Sequence, residues 1–216
     1  GDHRQNFGVY NQMNENGNGG IKVIKSDGSK VSIDLDKIHR MVEKACRNIT
    51  GVSESAVEMN SGLQFYEGIS TREIQSILVK SAHDLISTES PNYQFEAARL
   101  LLFAIQKQVF NTKWKDSEIY PHIKDILERN IDAPLKDIVE RNIEQGVYDP
   151  SILDAYTDEE FDKINSYIKH SRDLNFTYAG LQQIVDKYLV QDRSSGDVYE
   201  TPQFMYMLIA MTLFQN

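Results

Sequence analysis

The chain has 216 residues, a net charge of −9 and a single cysteine, so it has room for one or two domains. Cys46 alone excludes an internal disulfide and a multi-cysteine zinc site. The charge is uneven: residues 21–110 hold eleven Lys/Arg and eleven Asp/Glu, whereas residues 111–216 hold eleven and nineteen. An acidic second half disfavours nucleic-acid binding, which needs clustered positive charge. No apolar run approaches the ~18 residues of a membrane span, and no basic segment followed by an apolar run opens the chain. A cytoplasmic protein is expected, with no nucleic acid or membrane among its partners.

Residues 1–20 are rich in Asn and Gly and lack periodicity, and are expected to be a disordered leader. The stretch KVIKSDGSKVSIDLDKI at 22–38 then reads as strand, tight turn, strand and helix start. Asp27-Gly28 is a hairpin signal, because glycine accepts the positive φ such turns require. Lys30 to Ile33 alternates polar and apolar, as a strand with one buried face does. Asp34 or Asp36 can cap the following helix. Lys25 and Lys37 then stand near a sheet end and a helix N-terminus, a combination suited to an anion, although solvated surface lysines read the same way.

A helix is predicted over about 35–49, with Ile38, Met41, Val42 and Ala45 on one face and Thr50-Gly51 as its stop. Ser53 reads as the N-cap of a second helix to about Leu63, residues 65–69 as a short third strand, and Thr71 as the N-cap of a third helix. Ser90-Pro91 is expected to open a fourth helix with proline at its first position, running to about Val109, with Lys107 near its end. Residues 111–117 read as a linker. IKDILERNI at 123–131 and LKDIVERNI at 135–143 are two similar amphipathic segments, too few for a solenoid. Helices are expected at 151–155, 157–171 and 177–188, the second opened by a Thr157–Glu160 capping box. Arg193 to Gly196 is a turn. Thr201-Pro202 opens a final helix, Gln203 to Phe214, so apolar that burial on most sides is expected. Cys46 fits the apolar stripe of its helix better than it fits a reactive thiol.

Two sets of residues carry a family resemblance. The first is Val23, Lys25, Asp27, Gly28, Asp36, Lys37 and Ile38, joined by Phe65-Tyr66-x-Gly68-Ile69-x-Thr71 and Pro91-x-Tyr93-Gln94-x-x-Ala97-Ala98-Arg99-Leu100. It resembles the ATP-cone, a regulatory nucleotide-binding domain. The second is His170, Arg172, Asp173, Phe176, Thr177 and Tyr178, continuing through Lys187 to Val190 and Gly196-x-x-Tyr199-Glu200-Thr201-Pro202-Gln203-Phe204. It resembles the helical region before the catalytic barrel of class I ribonucleotide reductase large (alpha) subunits.

The resemblance implies a mainly α fold: residues 21–110 as a four-helix bundle capped by a small three-stranded sheet, and residues 111–216 as an all-helical segment without the barrel. It implies ATP as an activating effector and dATP as an inhibiting one, bound with Mg²⁺. The implied contacts are Lys25, Val31, Ser32, Ile33, Asp34, Leu35, Asp36, Lys37, Thr71 and Lys107, with Lys25 and Lys107 converging on one triphosphate. Implied partners are a radical-generating small (beta) subunit, the rest of the alpha subunit and further alpha copies. The sequence departs from the family at Ser26, Val31, Asp34 and Gln75, where arginine, an acidic residue, asparagine and histidine are expected. A degenerate cone, serving only as a structural or subunit-interaction module, is the alternative. The family's catalytic cysteines have no counterpart here, so this stretch alone should not reduce ribonucleotides and should be one piece of a longer subunit. A cone-bearing transcriptional regulator would need a four-cysteine zinc ribbon, which one cysteine excludes.

Overall fold

A computed structural model describes residues 20–114 and 135–215, with side chains between 111 and 114 left aside. The expected leader and the first of the two similar segments, 123–131, lie outside these residues. The chain divides into two compact units. Within the described residues, one comprises 20–104 with 176–181; the other comprises 105–114, 135–175 and 182–215.

In the first unit β1 (Lys22–Ile24) pairs antiparallel with β2 (Lys30–Ser32), Val23 opposite Val31. The hairpin closes through Lys25 N donating to Ser29 O at 2.9 Å, with Gly28 at φ 84°, a conformation that costs other residues a Cβ clash. β1 also pairs in parallel with β3 (Ile69–Ser70), so the strand order is β2-β1-β3. The expected alternation fails in β2, where all three residues are exposed and Val31 is 36% accessible. β2 is an edge strand, and the sheet's buried side chains, Val23 and Ile69, belong to the other two.

Four helices follow, α1 (Leu35–Cys46), α2 (Glu54–Gly62), α3 (Thr71–Asp84) and α4 (Tyr93–Trp114), the last of which belongs to the first unit only as far as residue 104. The predicted apolar stripe of α1 is buried, and Asp34 caps it by accepting from Lys37 N. The helix stops at Cys46, short of the predicted Ile49, because Asn48 takes a left-handed φ of 63° that asparagine tolerates at helix ends. Ser53 caps α2 as expected. Thr71 does not cap α3; Ser70 does, through its side chain and Glu73 N, and Thr71 is the first helical residue. Pro91 likewise precedes its helix. It sits in a turn whose carbonyl accepts from Gln94 N, and α4 begins at Tyr93. α4 continues through residues 111–114, predicted as linker, so Lys107 lies about two turns before its end.

In the second unit α5 (Leu135–Glu144) packs against α6 (Ser151–Ala155) and α7 (Asp158–Ser166), the latter opened by the expected Thr157–Glu160 capping box. The predicted 157–171 helix breaks after Ser166, where Tyr167 caps it, and a 3₁₀ turn forms at His170–Asn175. α8 (Tyr178–Lys187), which belongs to this unit from residue 182 on, is followed by a hairpin of two-residue strands, β4 (Gln191–Asp192) and β5 (Asp197–Val198). α9 (Pro202–Phe214) is capped by Thr201. Its expected all-round burial is not observed: Phe204, Met205, Leu208 and Met211 are buried, but Leu213 and Phe214 are 73% and 78% exposed. An apolar helix cannot choose a side by composition when both sides are apolar.

Candidate functional site

The parallel pairing of β1 with β3 sets Ile24 beside Ser70, and this register builds one corner of the first unit. Thr71 Oγ1 donates to Ile24 O at 3.5 Å, joining the first turn of α3 to the end of β1. Lys25 follows directly and its side chain is exposed. Gln75, one turn after Thr71 on the same helix face, is buried, and its Nε2 has no hydrogen-bond partner. A buried donor without an acceptor is costly and marks a place where a partner is missing. Sequence reasoning noted Gln75 only as a departure; its i+4 spacing from Thr71 was the available signal.

A second element reaches the same sheet. Ile33 N donates to Ile21 O at 2.9 Å, so the β2–α1 junction is anchored on the residue before β1. Asp34 is spent as the cap, accepting from Lys37 N at 3.0 Å. Leu35 is buried in the core, Ile33 and Asp36 are half-buried, and Ser32, Val31 and Lys37 are exposed. Ser32 accepts from Lys22 Nζ at 3.0 Å. Thus Lys25, Val31 to Lys37 and Thr71 all lie on the sheet and its two adjoining helix starts. Lys107 is half-buried on the stretch of α4 that belongs to the second unit.

Polar groups in the second unit are arranged differently. Arg141, buried, donates to Val109 O and, at 2.7 Å, to Tyr199 O, while Asn142 Nδ2 reaches Tyr199 O at 3.1 Å. Glu200 accepts from Tyr148 OH and from Val190 N. Asp173 accepts from Gln203 N at 3.3 Å and Gln203 Nε2 at 3.1 Å. Burial pushes its carboxyl up to about 7, against the two hydrogen bonds from Gln203. His170 lies edge-on to Phe110 and Phe204, and burial lowers its imidazole to about 3, so the ring is neutral. The His170/Asp173 motif is therefore a staple that ties the 3₁₀ turn to the start of α9. Arg172 between them is exposed.

These two arrangements match two known modules. Residues 21–108 match the ATP cone domain, and residues 174–216 match the all-alpha domain of ribonucleotide reductase. The chain is thus a cone followed by the reductase's helical region. It is 40% identical over 204 residues to ribonucleoside-diphosphate reductase 1 subunit alpha of Escherichia coli, covering 94% of this chain and 24% of that protein. The corresponding subunit of Haemophilus influenzae is 40% identical over 199 residues, covering 92% and 24%. That of phage T4 is 37% identical over 198 residues, covering 91% and 24%. The chain belongs to the ribonucleotide reductase alpha-subunit family, and it spans about a quarter of the length of these curated relatives. No helix among the described residues is long and apolar enough to cross a membrane.

Proposed function

We propose that residues 21–110 are an allosteric nucleotide sensor, binding ATP or dATP with Mg²⁺, and that residues 111–216 are the helical part through which the sensor acts on a ribonucleoside-diphosphate reductase. The observation that carries this is the corner where Lys25, Thr71 and the unpaired Gln75 Nε2 are set by one strand register. Exposed ammonium groups at Lys25 and Lys37 suit phosphate oxygens, and the first turn of a helix adds the favourable end of its dipole. Gln75 would give its orphaned N–H to a base or ribose acceptor. Lys107 would supply a further cation to the triphosphate, and Mg²⁺, which prefers oxygen ligands, would travel with the phosphates. The proposed partners are the radical-generating small subunit, the remainder of the alpha subunit and other alpha copies, in the cytoplasm. ATP would favour the active assembly and dATP an inhibited one, two ligands biasing one equilibrium. The catalytic cysteines would lie in the remaining three-quarters of such a subunit, since Cys46 is buried in the cone.

A second reading is a degenerate cone that serves only as a structural or subunit-contact module. Val31 favours it, being apolar and exposed where an acceptor for the nucleotide is expected. Calorimetry with ATP and with dATP separates the two. Saturable heat, weakened at least tenfold by Lys25→Ala and by Lys107→Ala, supports the sensor. Absence of heat at millimolar nucleotide establishes the degenerate module.

A further inference from the structure

The helix that carries Thr71 and Gln75 makes a separate contact at its far end. α3 runs unbroken from Thr71 to Asp84, with Gln75 in its second turn and His83 in its last. Thr71 and His83 are ~18 Å apart along it, at 1.5 Å of rise per residue. The His83 imidazole lies against the Tyr178 ring, with centroids 4.7 Å apart and planes tilted by 51°. Tyr178 is the first residue of α8. Residues 176–181 belong to the same compact unit as α3, although the match to the reductase all-alpha domain begins at residue 174. The first α-helix within that match therefore starts inside the unit that holds the nucleotide corner.

The start of α8 is firmly set. Thr177 Oγ1 accepts from Gly180 N at 3.1 Å, and Thr177 O accepts from Leu181 N at 3.0 Å. Leu181 is fully buried. The same helix continues to Lys187, and from residue 182 on it belongs to the second unit. α3 is equally suited to carry a displacement. Ile74, Leu78, Val79 and Ala82 are buried along it, and it packs on α2. A helix with a close-packed face transmits strain along its length rather than absorbing it locally. At its N-terminal end the buried Gln75 Nε2 has no acceptor. A ligand that supplies one favours whichever setting of α3 makes that bond best, and so shifts the population of its positions.

We infer that α3 is a strut coupling the nucleotide corner to α8, with His83 as the positioning residue that seats Tyr178. The inference rests on the sensor reading, because the strut needs a nucleotide at its Gln75 end. It adds the regulation of that site: the bound state is passed along this chain itself into the helical region, before any other subunit takes part.

Hydrogen exchange of the α8 amides in the full chain, with and without saturating ATP, tests this beside calorimetry of the same protein. ATP is expected to change their exchange by at least about fivefold, the lower end of ordinary coupling between sites. His83→Ala should still bind ATP yet lose the α8 response, and Tyr178→Ala should do the same. The His83 side chain is 50% exposed, so its alanine variant keeps the fold. His83→Phe, which keeps a ring against Tyr178, should retain the response. ATP heat with no α8 response in the wild type, or a response that survives in both alanine variants, overturns the strut and leaves the sensor reading standing. Absence of ATP heat in the wild type overturns both.

Discussion

In the first unit the two lysines of the family motif stand at the surface: Lys25 and Lys37 are exposed beside a three-stranded sheet. In the second, His170, Asp173 and Glu200 are at most 2% exposed, and each hydrogen-bonds within the protein. Both sets are equally conspicuous in sequence. The two lysines stay at the surface, whereas Asp34 beside them is spent as a helix cap; Asp173 and Glu200 are consumed in holding loops and helix starts together, while His170 keeps a buried Nε2 without a partner. The difference teaches that a polar motif acquires a chemical role only where its groups remain unspent after folding. Buried polar groups that are fully paired are expensive to disturb.

The largest expected effect follows from that contrast. Arg141→Ala leaves Val109 O, Tyr199 O and the Asn142 side chain short of a buried donor. Loss of ~3–5 kcal/mol is expected in denaturant unfolding of the second unit. Lys25→Ala in the first unit, by contrast, should leave the unfolding midpoint unchanged while ATP binding falls. An equal stability loss in both variants would erase the distinction.

The pH dependence of the second unit sharpens the comparison. Asp173 rises from 3.8 to about 7 in the folded chain, so the stability it contributes is full below pH 3.8 and is lost as pH rises through about 7. His170 falls from 6.5 to about 3, so its contribution is full above pH 6.5 and is lost as pH falls through about 3. Each contribution is at most about 5 kcal/mol, and over pH 4–6.5 the two oppose one another. Asp173→Asn removes one of them. The variant should melt higher than wild type at pH 8 and lose stability more steeply between pH 6.5 and 4. Parallel melting curves across that range would show that Asp173 is not buried as a neutral acid.

A smaller effect separates the two residues at the start of α3. Ser70→Ala removes the cap and should cost ~1 kcal/mol, read as a lower melting temperature. Thr71→Val loses only a long hydrogen bond to Ile24 O and should scarcely move the midpoint, but it should weaken ATP binding. The reverse pattern would restore Thr71 as the cap.

Much of the architecture was legible in the sequence because it is local. The Asp27-Gly28 turn, the Asp34 and Ser53 caps, the Thr157–Glu160 capping box and the apolar stripe of α1 are written at spacings of two to four residues. The mainly α fold, with four helices and a small three-stranded sheet followed by helices, follows from those spacings and the family resemblance. What failed also has a local look. Thr71 and Ser70 are both good caps, and only the β1–β3 register selects Ser70. α9 is apolar all round, so its buried face was undetermined until neighbours chose it.

By itself, then, the sequence determined the elements, their order and the family, since these rest on periodicity, turn chemistry and motif spacing. Tertiary structure decided the states of individual polar groups: Gln75 unpaired beside Thr71, Asp173 buried under Gln203, His83 set against Tyr178. The reason is physical. Burial and hydrogen-bond satisfaction depend on residues brought from far along the chain, and no spacing within a single segment encodes them.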